Sequence, residues 1–117
     1  MAKENNTLKR ADFNYKFAIL TIYAKLRGIK FICTSYTRTA EEQNRLFKEG
    51  KSQCDGYKKI SMHQKDRARD IVIITDKAKP IWKRTEDYET LGKFWVGLDG
   101  VWGGNFKSIN DPYHFEY

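Results

Sequence analysis

The apolar run in "RDIVIIT" constrains this chain most, because it reads as a strand with Asp70 at its mouth. His63, the first of only two histidines, lies seven residues before that aspartate, just past the polar, glycine-punctuated loop "GKSQCDGYKKI". His63 and Asp70 could be one half of a metal site, or ordinary polar residues beside a strand. The elements around them decide what such a pair can do.

Upstream, Phe13, Phe17, Leu20 and Ala24 recur at helical spacing from Asp12 to Arg27. Ile19, Tyr23 and Leu26 widen the stripe, and Gly28 is its stop. "IKFICTS" then alternates Ile29, Phe31 and Cys33 against Lys30, Ile32 and Thr34, as a strand does. Thr39 with Glu42 makes a capping box for a second helix, "AEEQNRLFKE", which Gly50 closes and on which Gln43 reads as surface. Beyond a turn at "DKAKP", Thr85, Glu86 and Asp87 start a third helix carrying Tyr88, Leu91 and Trp95. Glycines break up "VGLDGVWGGNF", and "YHFEY" is a last strand on which His114 shares a face with Glu116. Short helices and strands in this order predict an α+β fold, with helices packed on one face of a small, mainly antiparallel sheet and the candidate site at the sheet's edge. The chain's 117 residues suit a single domain.

A hydrophobic share of 40% with 15% aromatics argues for a folded core, and the formal charge of +7 for attraction to nucleic acid, anionic lipid or an anionic bacterial wall. No nucleic-acid reader motif accompanies the charge, so we expect no nucleic-acid partner. Cys33 and Cys54 belong to no CxxC pair and read as free thiols. "MAKENNTLKR" followed by "FAILTIYAKL" lacks the form of a signal peptide. No run approaches the roughly 20 apolar residues of a membrane span. Synthesis in the cytoplasm without stable membrane insertion is therefore expected.

A zinc hydrolase needs three protein ligands and an open fourth position, and His63, Asp70 and His114 supply such a set. By spacing alone, surface or core histidines fit equally well. The surrounding motifs add more. "SMHQKDRARD" resembles the SxHxxGxAxD signature of the zinc DD-peptidase family M15, including its phage endolysin branch of L-alanyl-D-glutamate peptidases; Ser61, His63, Ala68 and Asp70 match, while Asp66 replaces the glycine. "TSYTRTAEEQNRLFKEG" is similar to the family's SGYRTxxEQxxLxxxG segment, and "VWGGNFKSINDPYHFEY" to its WGGDWxxxxDxPHFE ending. Tyr36 and Thr37 stand where Gly-Tyr is usual, Asn105 and Phe106 replace Asp-Trp, and Pro112 with Tyr113 invert the proline position.

The resemblance implies zinc on His63, Asp70 and His114, with Asp111 as general base. It makes Arg38 the group that stabilises an oxyanion or grips a substrate carboxylate, and Ser61 a substrate-binding hydroxyl. Trp102, Phe106 and Tyr113 form either a cleft wall or core. The implied reaction is hydrolysis of peptide bonds in peptidoglycan stem peptides, by an endolysin-like L-alanyl-D-glutamate endopeptidase or a DD-carboxypeptidase. A monomer is expected, acting on the wall after release in phage or prophage lysis, or on wall peptides in the cytoplasm. The alternative is a non-catalytic zinc-containing binding module, since the same fold occurs in Hedgehog signalling domains.

Overall fold

The structure, a computed structural model, describes residues 4–117. Helix α1 (Asn6–Leu26) is capped by Asn5, whose side chain accepts from the Leu8 amide. It starts six residues ahead of the apolar periodicity, because its first turns bury no large side chain. Strand β1 (Lys30–Ser35) leads to helix α2 (Ala40–Lys48), capped by the Thr39 hydroxyl as its sequence predicts. After the long loop come β2 (Ala68–Ile74), β3 (Pro80–Ile81), α3 (Glu86–Gly97), β4 (Val101–Trp102), a single turn of 3-10 helix (Gly103–Asn105) and β5 (His114–Glu116).

The strands make one antiparallel sheet in the order β1-β2-β5-β4, with β3 also paired to β2. On one face α1 and α3 pack Phe13, Leu20, Tyr88, Leu91 and Trp95 against Ile71, Ile73 and Phe115, all at most 2% exposed. The T-shaped contacts of Trp95 with Phe13 and Phe115 join the two helices to the sheet. Trp102 belongs to this core, and a Cβ on Gly92 of α3 would come within 2.1 Å of its ring, so only glycine lets the indole lie there. Tyr113 packs edge-on against Tyr88 at the core's margin.

The α+β prediction holds, with two of the three helices on that face. Helix α2 stands apart on the other side, and its one buried residue is the polar Gln43 rather than an apolar anchor. The first strand carries a bulge between Cys33 and Ser35 that sets Ser35 opposite Asp70 and turns the chain toward Arg38.

Candidate active site

Side chains alternate along a strand, so Asp70 and His114, the neighbours of core residues Ile71 and Phe115, project from the opposite face. They are also direct cross-strand partners, Asp70 on β2 and His114 on β5. The site thus lies on the two inner strands, a correction to the sheet edge where the sequence had suggested it. Its position follows from β5 inserting between β2 and β4.

His63 reaches the pair from a tight turn after the loop. The Ser61 hydroxyl accepts from the His63 amide, and Gln64 bonds the Ser61 amide and the Gly56 carbonyl. The His63 carbonyl in turn accepts from the Arg38 amide and the Thr37 hydroxyl, both at 3.1 Å, fastening the segment before α2 to the same turn. Asp66, at the position of the expected glycine, has φ of 56° and lies in the left-handed region. Arg10 of α1 and Arg69 of β2 each bond its carboxylate at 3.0 Å.

The donor atoms of His63, Asp70 and His114 all lie within 4.8 Å of one another. His63 Nε2 is 3.2 Å from Asp70 Oδ2, and His114 Nδ1 is 2.9 Å from Asp70 Oδ1. Each ring's other nitrogen is anchored outside the cluster: His63 Nδ1 on the Tyr36 carbonyl at 2.6 Å, His114 Nε2 on the Glu116 carboxylate at 2.7 Å. Such outer acceptors fix the tautomer and orientation of metal-binding imidazoles. The set fits a zinc ion, with two nitrogens and one carboxylate oxygen as ligands, and with the ring nitrogens facing inward deprotonated when zinc binds.

Without metal, the charges are strongly coupled. Burial opposes ionisation of His114, but its hydrogen bonds to Asp70 and Glu116 and their negative charges more than offset this and raise its pKa from 6.5 to about 9. Burial likewise disfavours a charged Asp70, yet His114 and His63 outweigh it and hold the carboxyl well below its ordinary range.

Asp111 sits three residues before His114 in the same cleft. Its amide donates to the Gly103 carbonyl, and its carbonyl passes within 2.3 Å of where a Cβ on Gly103 would be, so that glycine is required. Asp111 Oδ1 accepts from the Tyr113 amide, the turn expected of an aspartate before proline. Burial, then the nearby Asp70 charge, raises its pKa.

Arg38 joins the cluster from a distant block of sequence. Its guanidinium bonds Ser35 Oγ at 2.8 Å, Gln43 Oε1 at 3.1 Å and Asp70 Oδ2 at 3.3 Å. Gln43 is fully buried, a correction to its reading as surface: its amide nitrogen holds Ser52 Oγ and the Cys54 carbonyl, linking Arg38 to the loop that walls the cleft. A cleft of about 630 Å³ contains Arg38, Ser61, His63, Asp70, Asp111 and His114 together. Phe106 lines it, tilted against the His114 ring at 5.7 Å, while Trp102 is core. Glu116 and Gln43 are the residues sequence reasoning missed. The first had a signal, two residues from His114 on one strand face; the second had none.

The family model described as D-alanyl-D-alanine carboxypeptidase matches residues 55–117, more than half of the chain. The chain belongs to peptidase family M15. The matched segment of this M15 chain holds Ser61, His63, Asp70, Asp111 and His114, whereas Arg38 and Gln43 precede it. Solved structures share the fold. The L-Ala D-Glu endopeptidase ChiX of Serratia marcescens superposes with a TM-score of 0.63 at 22% identity, over 84% of this chain and 75% of that one. VanY, a vancomycin resistance D,D-pentapeptidase from a VanB-type cassette solved in complex with Zn(II), gives 0.60 at 19%, over 90% and 70%. The LD-carboxypeptidase LdcB gives 0.65 at 17%, over 91% of this chain and 63% of its own. No curated protein sequence matches the chain significantly. Among the described residues, no helix is long and apolar enough to cross a membrane.

Proposed function

We propose that this chain is a zinc-dependent peptidase that hydrolyses peptide bonds in peptidoglycan stem peptides, of either the L-alanyl-D-glutamate endopeptidase or the DD-carboxypeptidase type. The observation that carries the reading is the convergence of His63, Asp70 and His114, with outer nitrogens anchored, in one cleft with the half-buried Asp111.

Zinc, when bound, supplies a Lewis acid that polarises the scissile carbonyl and acidifies a water. Asp111 serves as the base: its raised pKa makes it a better proton acceptor than an ordinary aspartate, and the Tyr113 amide holds one oxygen in place. The proton taken from the attacking water passes from Asp111 to the departing amine. Arg38, braced by Ser35 and Gln43, offers positive charge to the oxygen of the tetrahedral intermediate or to a substrate carboxylate. Ser61 lines the cleft and holds the His63 turn, leaving its hydroxyl hydrogen for substrate. Lys51, Lys59 and Lys107 give the cleft a basic rim suited to an anionic wall polymer, whether met at the wall after release or as wall peptides inside the cell.

Mass spectrometry of defined muropeptides incubated with zinc-loaded protein, with and without chelator, tests the proposal and names the bond. Chelator-sensitive cleavage is the expected result. Intact muropeptides with fully zinc-loaded protein would favour the non-catalytic binding module instead.

A further inference from the structure

Asp111 is delivered by a loop that buries almost nothing. Lys107, Ser108, Ile109 and Asn110 ahead of it are all exposed, so apolar packing does not fix them. Among the described residues, two side chains from outside this loop hydrogen-bond to it: Gln53, 3.3 Å from the exposed Ser108, and Arg84. Arg84 lies just before α3, and its Nη1 donates to the Gly104 carbonyl at 2.7 Å and to Asn110 Oδ1 at 2.9 Å. Asn110 Nδ2 donates to the same carbonyl at 2.8 Å, so the loop is closed where it begins and where it ends. The guanidinium is itself held, with Nε paired to Glu89 on α3 and Cζ 4.8 Å from the centre of the Trp102 ring. That indole donates to the Pro112 carbonyl at 2.9 Å. Asp111 therefore stands between Asn110, tied to Arg84, and Pro112, tied to Trp102.

We propose that Arg84 is the positioning residue for the general base: by clamping Gly104 to Asn110, it holds Asp111 in place beside His63, Asp70 and His114. The assignment rests on the peptidase reading of that cluster. Arginine suits the task because one planar group presents nitrogens to a carboxylate, a carbonyl and an amide oxygen at fixed angles. Lysine has a single nitrogen and cannot occupy the Nε and Nη1 positions together. Arg84 does not line the cleft, so its effect on turnover passes through the loop. Without it, Asn110 keeps only its own bond to Gly104, and Asp111 samples positions away from the attacking water. Misplacing a reacting group by about 1 Å costs on the order of 10² in rate.

Steady-state kinetics of the zinc-loaded protein on a defined muropeptide, together with amide hydrogen exchange of the metal-free protein by NMR, test the assignment. Arg84→Ala should lower kcat by about 10 to 10²-fold, with KM within about twofold and zinc content unchanged. Asn110→Ala should do the same, and the double variant should stay within about twofold of either alone, as expected of two parts of one clamp. In an Asp111→Asn background Arg84→Ala should cost nothing further, because the base it positions is gone. The Asp111 and Phe106 amides, both bonded to the Gly103 carbonyl, should exchange at least about tenfold faster in Arg84→Ala, while the core amide of Ile73 exchanges as in the parent. Should Arg84→Ala fail to fold, Arg84→Lys carries the same comparisons. A parent that cleaves while Arg84→Ala keeps full kcat overturns the proposal. So does a further loss in the Asp111→Asn background, which marks a role in the fold at large. If the parent cleaves nothing, the peptidase reading fails, and exchange decides the clamp alone: unchanged protection at Asp111 overturns it and lost protection supports it.

Discussion

The two faces of the inner strands use adjacent residues for opposite ends. Ile71 and Phe115 are fully buried under α1 and α3, where apolar area removed from water and close packing hold the fold. Asp70 and His114, one residue away on each strand, point into a cleft where nearly every polar atom is tied to another. The helix-covered face needs only volume and apolarity; the cleft face needs specific atoms at specific distances. Substitutions should therefore separate stability from chemistry at neighbouring positions.

The largest effects test that separation directly. Phe115→Ala should cost about 3 to 5 kcal/mol of stability in urea denaturation, the range for emptying a buried aromatic site. Asp111→Asn should leave stability and zinc content close to those of the parent while lowering kcat by about 10² to 10⁴, since an amide cannot accept the proton. Retained turnover in zinc-loaded Asp111→Asn protein would remove Asp111 from the mechanism and collapse the contrast.

The pH dependence of the metal-free protein sharpens the comparison next. The folded pKa of His114 is raised from 6.5 to about 9, so its contribution to stability is full below pH 6.5 and lost as pH rises through about 9. Asp70 has the reverse sense, its contribution lost only in strong acid. Chelated protein should thus lose up to about 3 kcal/mol between pH 6 and 9.5. With zinc present the trend should weaken or invert, because binding requires neutral His114 and releases its proton. A flat profile for chelated protein would mean that Asp70 and Glu116 do not hold His114 as an imidazolium.

Glu116→Gln should act only on the cleft face. The His114 Nε2–H would keep a weaker acceptor, so zinc affinity should fall by about 10 to 100-fold, with stability nearly unchanged when metal is saturating. Competition with a chromogenic chelator measures this. An unchanged affinity would show that His114 is oriented by Asp70 and Phe106 alone.

The same contrast explains what could be read from sequence. Tyr88, Leu91 and Trp95 on α3 announce themselves by period, because a core-facing helix repeats one requirement every turn. The first two turns of α1 bury nothing large, and β3 and β4 have two residues each, so neither had a pattern to detect. On the cleft face, His63, Asp70, Asp111 and His114 were legible only because the segments that carry them resemble the M15 motifs; their spacing alone left core or surface roles open. Gln43 was not: a polar residue beside a capping box reads as solvent-facing, and only the tertiary arrangement of Arg38, Ser52 and Cys54 makes its burial favourable.

The smallest effect concerns Asp66, where the family glycine is replaced. Its left-handed backbone at φ 56° costs an ordinary side chain about 1 kcal/mol, less for aspartate, and that cost is opposed by Arg10 and Arg69 on its carboxylate. Both bridges are partly exposed, so each contributes a fraction of a kcal/mol. Asp66→Gly removes bridges and strain together, and should change stability by less than about 0.5 kcal/mol. Asp66→Ala removes the bridges but keeps the strain, and should cost about 1 kcal/mol or slightly more. High salt should narrow the gap between aspartate and glycine without touching the gap between glycine and alanine, because only the first is electrostatic. If alanine proves as stable as glycine in thermal unfolding, the turn that carries His63 relaxes out of the left-handed region. The departure at Asp66 is then carried by a changed backbone, and its two arginines are incidental to the site.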